Sequence, residues 1–346
     1  MRSILNKKAF LTVAGVATLA FSLTGCGAND NAAGGNVTGG EQNVNLIFAE
    51  VNPADTVVGQ TGHFFADRVY YLSGGTINID IQGGGVLGSE EHVLSSMIGG
   101  AGAIHMARIS TFALNAFGAE TSRMLGAPFT FADRDHFWNF ATSDLAEPFL
   151  NETLELGLPF RSLFHGEEGF RHFFTRTEVS GIEDLHNMNL RVPGDPIMVG
   201  LVEGIGAHAV SIPFTELYSA LQTGVVDGAE QPITNYEANA FPEVAPYLIL
   251  NGHTLGVIQF IMMDDVWQGL SENQQNAITQ ASAEAQAFNR ELAERLDQEA
   301  LDRMVGAGVT IVEVEDLDPW RGAVANVIAE NISGFEDLYD QIQAMQ

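Results

Sequence analysis

Arg171 and Arg191 are the residues whose chemistry stands out, because cations are scarce in this chain. The sequence holds 15 Lys and Arg residues against 44 Asp and Glu. The lysines, Lys7 and Lys8, precede the single cysteine, Cys26, so every permanently charged cation after that point is an arginine. A guanidinium group is permanently charged and presents a planar fork of donors that matches a carboxylate. Two such groups in an acidic chain predict a site that holds an anion.

Spacing alone leaves a second interpretation open, in which these arginines form structural ion pairs. Exposed pairs of that kind contribute only about 0–1 kcal/mol to stability. A nucleic-acid partner is opposed by the net charge of −29, because binding to a polyanion requires a basic surface.

Enzymatic and cofactor chemistries find little support in the sequence. The stretch 83–88 matches the dinucleotide-binding pattern GxGxxG, but the acidic residue expected about 20 positions later falls in His105–Arg108, where there is no carboxylate. The sequence contains no HExxH zinc motif and no Gly-x-Ser-x-Gly elbow. We therefore expect no cofactor, no metal site and no catalytic activity.

The N-terminal residues have the pattern of an export signal. Arg2, Lys7 and Lys8 precede an uncharged segment, Ala9–Gly25, that is short for a membrane span of about 20 residues. Its Leu-Thr-Gly-Cys ending resembles the bacterial lipobox, which implies that Cys26 carries the lipid, and two acyl chains are enough for stable anchoring. We expect a signal peptide over residues 1–25 and a flexible Gly/Asn/Ala-rich tether over 26–43. An uncleaved membrane anchor is the alternative.

Hydrophobic periodicity from Val44 onward predicts an α/β protein, and the roughly 300 residues suffice for two domains. Strands are predicted at 44–49, 76–81, 103–109, 172–175, 189–192, 208–212 and 309–314. Helices are predicted at 59–72, 90–98, after Pro196, at 215–223 and at 271–305. Ser271 is the predicted N-cap of the last and longest helix, which we expect to run across both domains.

Five sequence blocks give these elements a family resemblance. They occur in order at 169–172, 181–185, 190–193, 213–224 and 226–232, and the stretches 85–90 and 125–129 add to them. Together they resemble the solute-binding subunit of tripartite ATP-independent periplasmic (TRAP) transporters, the DctP family. The resemblance covers nearly all of the chain from Val44 to the C-terminus.

This resemblance implies a two-domain clamshell like that of the periplasmic binding proteins, with strand hinges and a long helix spanning both domains. We expect domain I to comprise residues 44–168 and 257–296. Domain II would then comprise residues 169–256 and 297–346.

The resemblance also assigns roles to individual residues. It implies that Arg191 is the principal arginine, which pairs bidentately with the ligand carboxylate, and that Arg171 helps to hold it. Phe214 matches an aromatic residue that lines the cleft. Gln231 stands where the family carries a ligand-binding asparagine, so its arm is one methylene longer.

Two further residues, Glu50 and Arg108, are candidates for ligand contact. Glu50 ends the first strand, where relatives often place a polar contact. Arg108 lies near the end of the strand 103–109, and a third cation in the cleft would favour a second acidic group on the ligand. A salt bridge at the rim of the cleft is the alternative for Arg108.

The function implied is that of an extracytoplasmic, lipid-anchored solute-binding protein. It would capture an organic carboxylate, either a sugar acid or a C4-dicarboxylate, and deliver it to TRAP permease subunits in the membrane. A monomer is expected. Three alternatives stay open: a carboxylate sensor for a signalling receptor, a binding lipoprotein of an ABC-type transporter, and a secreted α/β enzyme.

Overall fold

The computed structural model describes residues 41–100 and 102–346. The predicted signal peptide, the lipidation site Cys26 and most of the predicted tether lie outside the described residues. None of the helices within the described ranges combines the length and the apolar character that crossing a bilayer would require.

The described residues form a mixed α/β architecture around one sheet of nine strands, which confirms the predicted fold class. The strands are β1 (Val44–Ala49), β2 (Ile77–Gln82), β3 (Met106–Ser110), β4 (Phe160–Thr175), β5 (Asn189–Val192), β6 (His208–Ser211), β7 (Gly228–Pro232), β8 (Tyr247–Met263) and β9 (Thr310–Glu313). Their order in the sheet is β2-β1-β3-β8-β4-β7-β5-β6, and β9 pairs with β8.

Two long antiparallel strands, β4 and β8, run through the middle of the sheet and connect its two sides. The C-terminal half of β8 pairs with β3, and the parallel strands β1 and β2 continue the sheet on that side. The C-terminal half of β4 pairs with β7, followed by the parallel strands β5 and β6. The pairing of β4 with β8 is irregular between Glu167 and Phe170, and Gly169 there has a φ of 105°, which favours glycine.

Helices cover both faces of this sheet. Their bounds are α1 (Val57–Leu72), α2 (Glu90–Ile98), α3 (Thr111–Asn115), α4 (Glu120–Arg123), α5 (Arg134–Ala141), α6 (Glu147–Glu155), α7 (Pro196–Gly204), α8 (Leu217–Thr223), α9 (Ile233–Ala238), α10 (Asp264–Gly269), α11 (Glu272–Gly306), α12 (Asp318–Ala323), α13 (Ala325–Ile332) and α14 (Glu336–Gln343). Short 3-10 turns lie at Met124–Gly126, Asp144–Ala146, Ile182–Leu185, Phe214–Glu216 and Phe241–Glu243.

Helix α11 confirms the predicted long helix at both ends. Ser271 is its N-cap and forms a capping box with Gln274, in which each side chain bonds the backbone N–H of the other. At 1.5 Å per residue, its 35 residues reach about 50 Å. Its apolar positions pack along the sheet from Ile278, against the core around Phe65, to Met304, against the core around Leu248.

The strand predicted at 172–175 is only the end of a much longer strand, β4. Its first part carries Arg161, His165, Glu167 and Glu168, which break the apolar alternation that identifies a strand. Glu167 and Glu168 are nevertheless buried, because Arg134, distant in sequence, pairs with Glu167 and Arg171, on the same strand, pairs with Glu168.

Candidate functional site

A cleft that is partly open to solvent lies where four strands bring polar side chains together. Arg108 comes from β3, Arg171 from β4, Arg191 from β5 and Gln231 from β7. The full lining is Val51, Asn52, Ser89, Glu90, Glu91, Arg108, Ser110, Phe112, Glu168, Arg171, Arg191, Pro193, Phe214, Gln231 and Asn235. Five of the six candidate ligand contacts therefore line one cleft, and the sixth, Glu50, lies behind it against Arg108.

Arg191 is a buried cation whose charge is left uncompensated. It is 2% exposed, and its Nε donates to the carbonyl of Ile212 at 2.7 Å. Its terminal nitrogens bond to none of the described residues, and no described carboxylate lies within 4.0 Å of them. Burial lowers the pKa of Arg191 to about 10. The terminal edge of its fork is therefore available to an anion.

Phe214 lies beside this fork. The centre of its ring is 5.9 Å from the guanidinium carbon of Arg191, and the ring packs edge-on against Phe241. An aromatic face at this distance favours the positive charge and also excludes water from one side of it.

Arg171, by contrast, is held by two carboxylates. Its Nε and Nη2 donate to Glu230 at 2.5 and 2.9 Å, and its Nη1 donates to Glu168 at 2.6 Å. Burial alone would lower the pKa of Arg171, but these carboxylates raise it. In turn, burial would raise the pKa of Glu230, yet Arg171 and His253 lower it to about 2. Arg171 reaches the cleft as the centre of a buried ion-pair network.

Arg108 is also paired on several sides. Its Nε donates to Glu50 at 2.9 Å, and its Nη2 donates to the other oxygen of the same carboxylate. Its Nη1 donates to Glu90 at 2.5 Å and lies 3.8 Å from Glu168. Burial and the neighbouring acids therefore act in opposite directions on Arg108, and its pKa is raised overall.

Glu90 is a cleft residue that sequence reasoning missed. It begins helix α2 and accepts hydrogen bonds from Arg108, from the hydroxyl of Ser110 at 2.5 Å and from the backbone N–H of Ser110 at 3.2 Å. Burial raises its pKa despite these donors. Glu168 is a second acidic cleft residue that the sequence did not indicate. Both were missed because a chain with 44 acidic residues gives no signal for which of them will be buried.

Three side-chain amides of the cleft have unused hydrogen-bonding capacity. The Oδ1 atoms of Asn52 and Asn235 are buried and have no partner in the described part of the chain. Their Nδ2 atoms donate to Glu50 at 3.4 Å and to Glu168 at 3.1 Å. Gln231 is buried, and its side chain makes no hydrogen bond to any described residue. These amides can therefore bind polar groups of a ligand.

Nothing in the described residues resembles a metal centre, since no three His, Cys, Asp or Glu side chains cluster there as ligands. What the arrangement offers chemically is one uncompensated cation, an aromatic wall and several hydrogen-bonding side chains. This combination suits binding of a small polar anion.

Comparison with known proteins identifies the family. The family description "Bacterial extracellular solute-binding protein, family 7" (DctP) matches residues 48–333. A solute-binding protein of Sulfitobacter sp. (strain NAS-14.1) is 30% identical over 274 residues, which covers 78% of this chain and 82% of that protein.

Solved structures agree with this assignment. A TRAP periplasmic solute-binding protein of Pseudomonas putida F1 with bound D-glucuronate superposes with a TM-score of 0.83 at 27% identity, covering 87% of this chain and 97% of that one. A sugar acid binding protein of Advenella mimigardefordensis in complex with galactonate gives a TM-score of 0.83 at 26% identity, covering 88% and 100%. This chain belongs to the DctP family of bacterial extracellular solute-binding proteins and has the fold of the TRAP periplasmic solute-binding proteins.

Proposed function

We propose that this protein is the extracytoplasmic solute-binding lipoprotein of a TRAP transporter and captures an organic carboxylate in the cleft around Arg191. The observation that carries this proposal is the buried, uncompensated guanidinium of Arg191. Relatives of known structure that bind glucuronate and galactonate support the carboxylate as the group that is held.

The energetics favour a carboxylate over other small solutes. Removing a carboxylate from water costs several kcal/mol unless it is paired in the protein. Charge-assisted hydrogen bonds contribute about 1.5–3 kcal/mol each, and a guanidinium fork can form two of them in parallel. A ligand carboxylate would also compensate the buried charge of Arg191, so both partners gain from the contact.

The other candidate residues have supporting roles in this proposal. Arg171 lines the cleft from a fixed position between Glu168 and Glu230, and one N–H of its Nη1 makes no bond to a described residue. Gln231 supplies an amide and Phe214 an aromatic wall. Glu50 acts through Arg108, which it holds in place, rather than by touching the ligand.

Capture would involve closure of two lobes, residues 44–168 with 257–296 and residues 169–256 with 297–346. The proposed boundary on β4 coincides with Gly169 and the pairing irregularity next to it. The boundary on β8 coincides with Gly256, where an added Cβ would lie 2.4 Å from Glu168 Cγ. Ligand contacts made only in the closed state would shift the population towards it. Helix α14 belongs to the second set but packs against Phe131 and Phe140 of the first, so it would link the lobes.

The proposal includes attachment to the membrane through Cys26, delivery of the ligand to permease subunits, a monomeric state and the absence of catalysis. The lipobox-like Leu-Thr-Gly-Cys sequence supports the first point, and membership of a solute-binding family supports the second and last. Cys26→Ala tests the anchor: the variant should be recovered in the soluble extracytoplasmic fraction and lack label from radioactive palmitate. Equal membrane recovery of both proteins would refute lipid anchoring.

Calorimetry tests the carboxylate site. Arg191→Ala should weaken binding of the cognate acid by about 2–5 kcal/mol, because it removes the partner of a buried charge. Arg295→Ala is the matched control, since Arg295 lies on α11 with a side chain that is 59% exposed, and it should bind like the wild type. Near-wild-type affinity of Arg191→Ala would contradict the proposed function.

A further inference from the structure

The way charges are paired around the cleft limits which acids can enter. Three arginines, Arg108, Arg171 and Arg191, are buried there with at most 3% of their surface exposed. Four carboxylates bond to two of them, namely Glu50, Glu90, Glu168 and Glu230. Pairing therefore leaves one cation, Arg191, without a compensating charge in the described residues.

Arg108, as a third cation in the cleft, would favour a diacid only if its charge were not already paired with carboxylates of the protein. It is paired with them. Glu50 occupies its Nε and Nη2 atoms, and Glu90 occupies Nη1. A second ligand carboxylate placed near Arg108 would lie next to Glu90, so repulsion would offset the attraction. If Glu90 were protonated, three carboxylates would still bond to Arg108 and Arg171, and Arg191 would remain the cation without a bonded carboxylate.

The polar groups at the remainder of the cleft suit hydroxyl groups. Glu90 and Glu168 are carboxylates, which only accept hydrogen bonds when ionised. The Oδ1 atoms of Asn52 and Asn235 are buried acceptors without a partner among the described residues. Hydroxyl groups can donate to all four side chains, whereas a carboxylate can donate to none. The cleft thus combines one site for an anion with several side chains that can accept hydrogen bonds from ligand hydroxyl groups.

We infer that the cleft binds a monocarboxylate whose other polar groups are hydroxyls, a sugar acid, and that Glu90 and Glu168 exclude diacids, including C4-dicarboxylates. This inference rests on the proposed role of Arg191 as the carboxylate fork. Glu90 is assigned as a specificity-determining residue, because it both neutralises Arg108 and presents an acceptor to the ligand.

The experiment compares acids that differ in one group. D-galactonate and galactarate share a six-carbon chain, its C1 carboxylate and its C2–C5 hydroxyls, but galactarate carries a second carboxylate where galactonate has the C6 hydroxyl. D-glucuronate and D-galacturonate extend the monoacid set, and succinate extends the diacid set. Dissociation constants are measured by calorimetry for the wild type and for Arg191→Ala.

We expect the tightest monoacid to bind at least about 100-fold more tightly than galactarate or succinate, since like charges placed together cost several kcal/mol. Its binding should be lost in Arg191→Ala. A diacid that binds as tightly as the best monoacid and depends on Arg191 would overturn the inference while the proposed function stands. If neither the monoacids nor the diacids bind, or if their affinity is the same in Arg191→Ala as in the wild type, the proposed function fails together with the inference.

Variants test the role of Glu90 separately. Glu90→Gln keeps an acceptor oxygen for Arg108 and Ser110 but removes the charge, so the preference for galactonate over galactarate should fall at least about tenfold. Glu168→Gln should move the preference in the same direction. Glu183→Gln removes the same charge from a side chain that is 84% exposed and should leave the preference unchanged. An unchanged preference in Glu90→Gln would overturn the role assigned to Glu90.

Discussion

Replacing Arg191 with methionine should stabilise the ligand-free protein while it abolishes carboxylate binding. Methionine fills a similar linear space without a charge, so the substitution removes the buried cation and keeps much of the packing. The opposite effects on stability and binding follow from the same observation, which is that the charge of Arg191 has no partner in the described part of the molecule.

The magnitude can be worked from the pKa. Burial lowers the pKa of Arg191 from 12.5 to about 10. Each tenfold change in the acid dissociation constant corresponds to about 1.4 kcal/mol, so keeping the charge buried costs about 3 kcal/mol. The substitution also leaves the carbonyl of Ile212 without its donor, which costs about 1–3 kcal/mol. The net gain in unfolding free energy should therefore be up to about 2 kcal/mol.

Urea denaturation of the ligand-free proteins at pH 7 measures this gain. The same titration with ligand at 100 times its dissociation constant should add about 2.7 kcal/mol to the wild type and nothing to Arg191→Met. Arg171→Met is the matched control, because it leaves Glu168 and Glu230 buried without their partner. That variant should lose about 3–5 kcal/mol.

A ligand-free Arg191→Met protein that is less stable than the wild type would refute the reasoning. It would mean that the charge of Arg191 is compensated before ligand arrives. Equal losses in Arg171→Met and Arg191→Met would refute it as well, since the two arginines would then be equivalent structural residues.

Three further substitutions test other parts of the structure. Gly256→Ala should displace Glu168, with a loss of about 1–3 kcal/mol in stability and a weaker ligand affinity. Gly269→Ala is the control, because no atom lies within 4 Å of its added Cβ, and it should be near neutral. Urea midpoints measure the change in stability, calorimetry measures the change in affinity, and equal effects of the two substitutions would contradict the prediction. Ser271→Ala should lower the free energy of unfolding by about 1 kcal/mol, because it removes the N-cap of α11. Thermal unfolding measures this loss, and an unchanged stability would show that the cap does not stabilise the protein. Burial lowers the pKa of His165 to about 4, whereas in the unfolded chain its pKa is about 6.5. Between these two pH values only the unfolded chain binds the proton, so the free energy of unfolding falls by about 1.4 kcal/mol per pH unit as the pH is lowered. His165→Gln should reduce that slope in urea titrations, and an unchanged slope would contradict the burial of a neutral His165.

Local signals in the sequence were sufficient for much of the fold. Helix α11 has a regular apolar repeat and a capping residue, both within a short stretch of chain, so its bounds were predicted to within about a residue. The polar first half of β4 was not predicted, because its burial depends on distant partners such as Arg134, which pairs with Glu167.

In the candidate site, too, some features could be predicted from the sequence, whereas others depend on residues far apart in the chain. The scarcity of cations made Arg171 and Arg191 candidates, and the family resemblance implied their unequal roles. Their charge states could not be read from the sequence, since Arg171 meets Glu230 across 59 positions and Arg108 meets Glu50 across 58. The distinction between a compensated and an uncompensated cation is therefore a property of the fold.

A crystal structure of the protein with bound D-galactonate would test the central claim most directly. The account predicts both carboxylate oxygens at about 2.7–2.9 Å from the terminal nitrogens of Arg191, with the sugar hydroxyls directed towards Glu90 and Glu168. A carboxylate held by Arg108 or Arg171, with Arg191 out of contact, would contradict it.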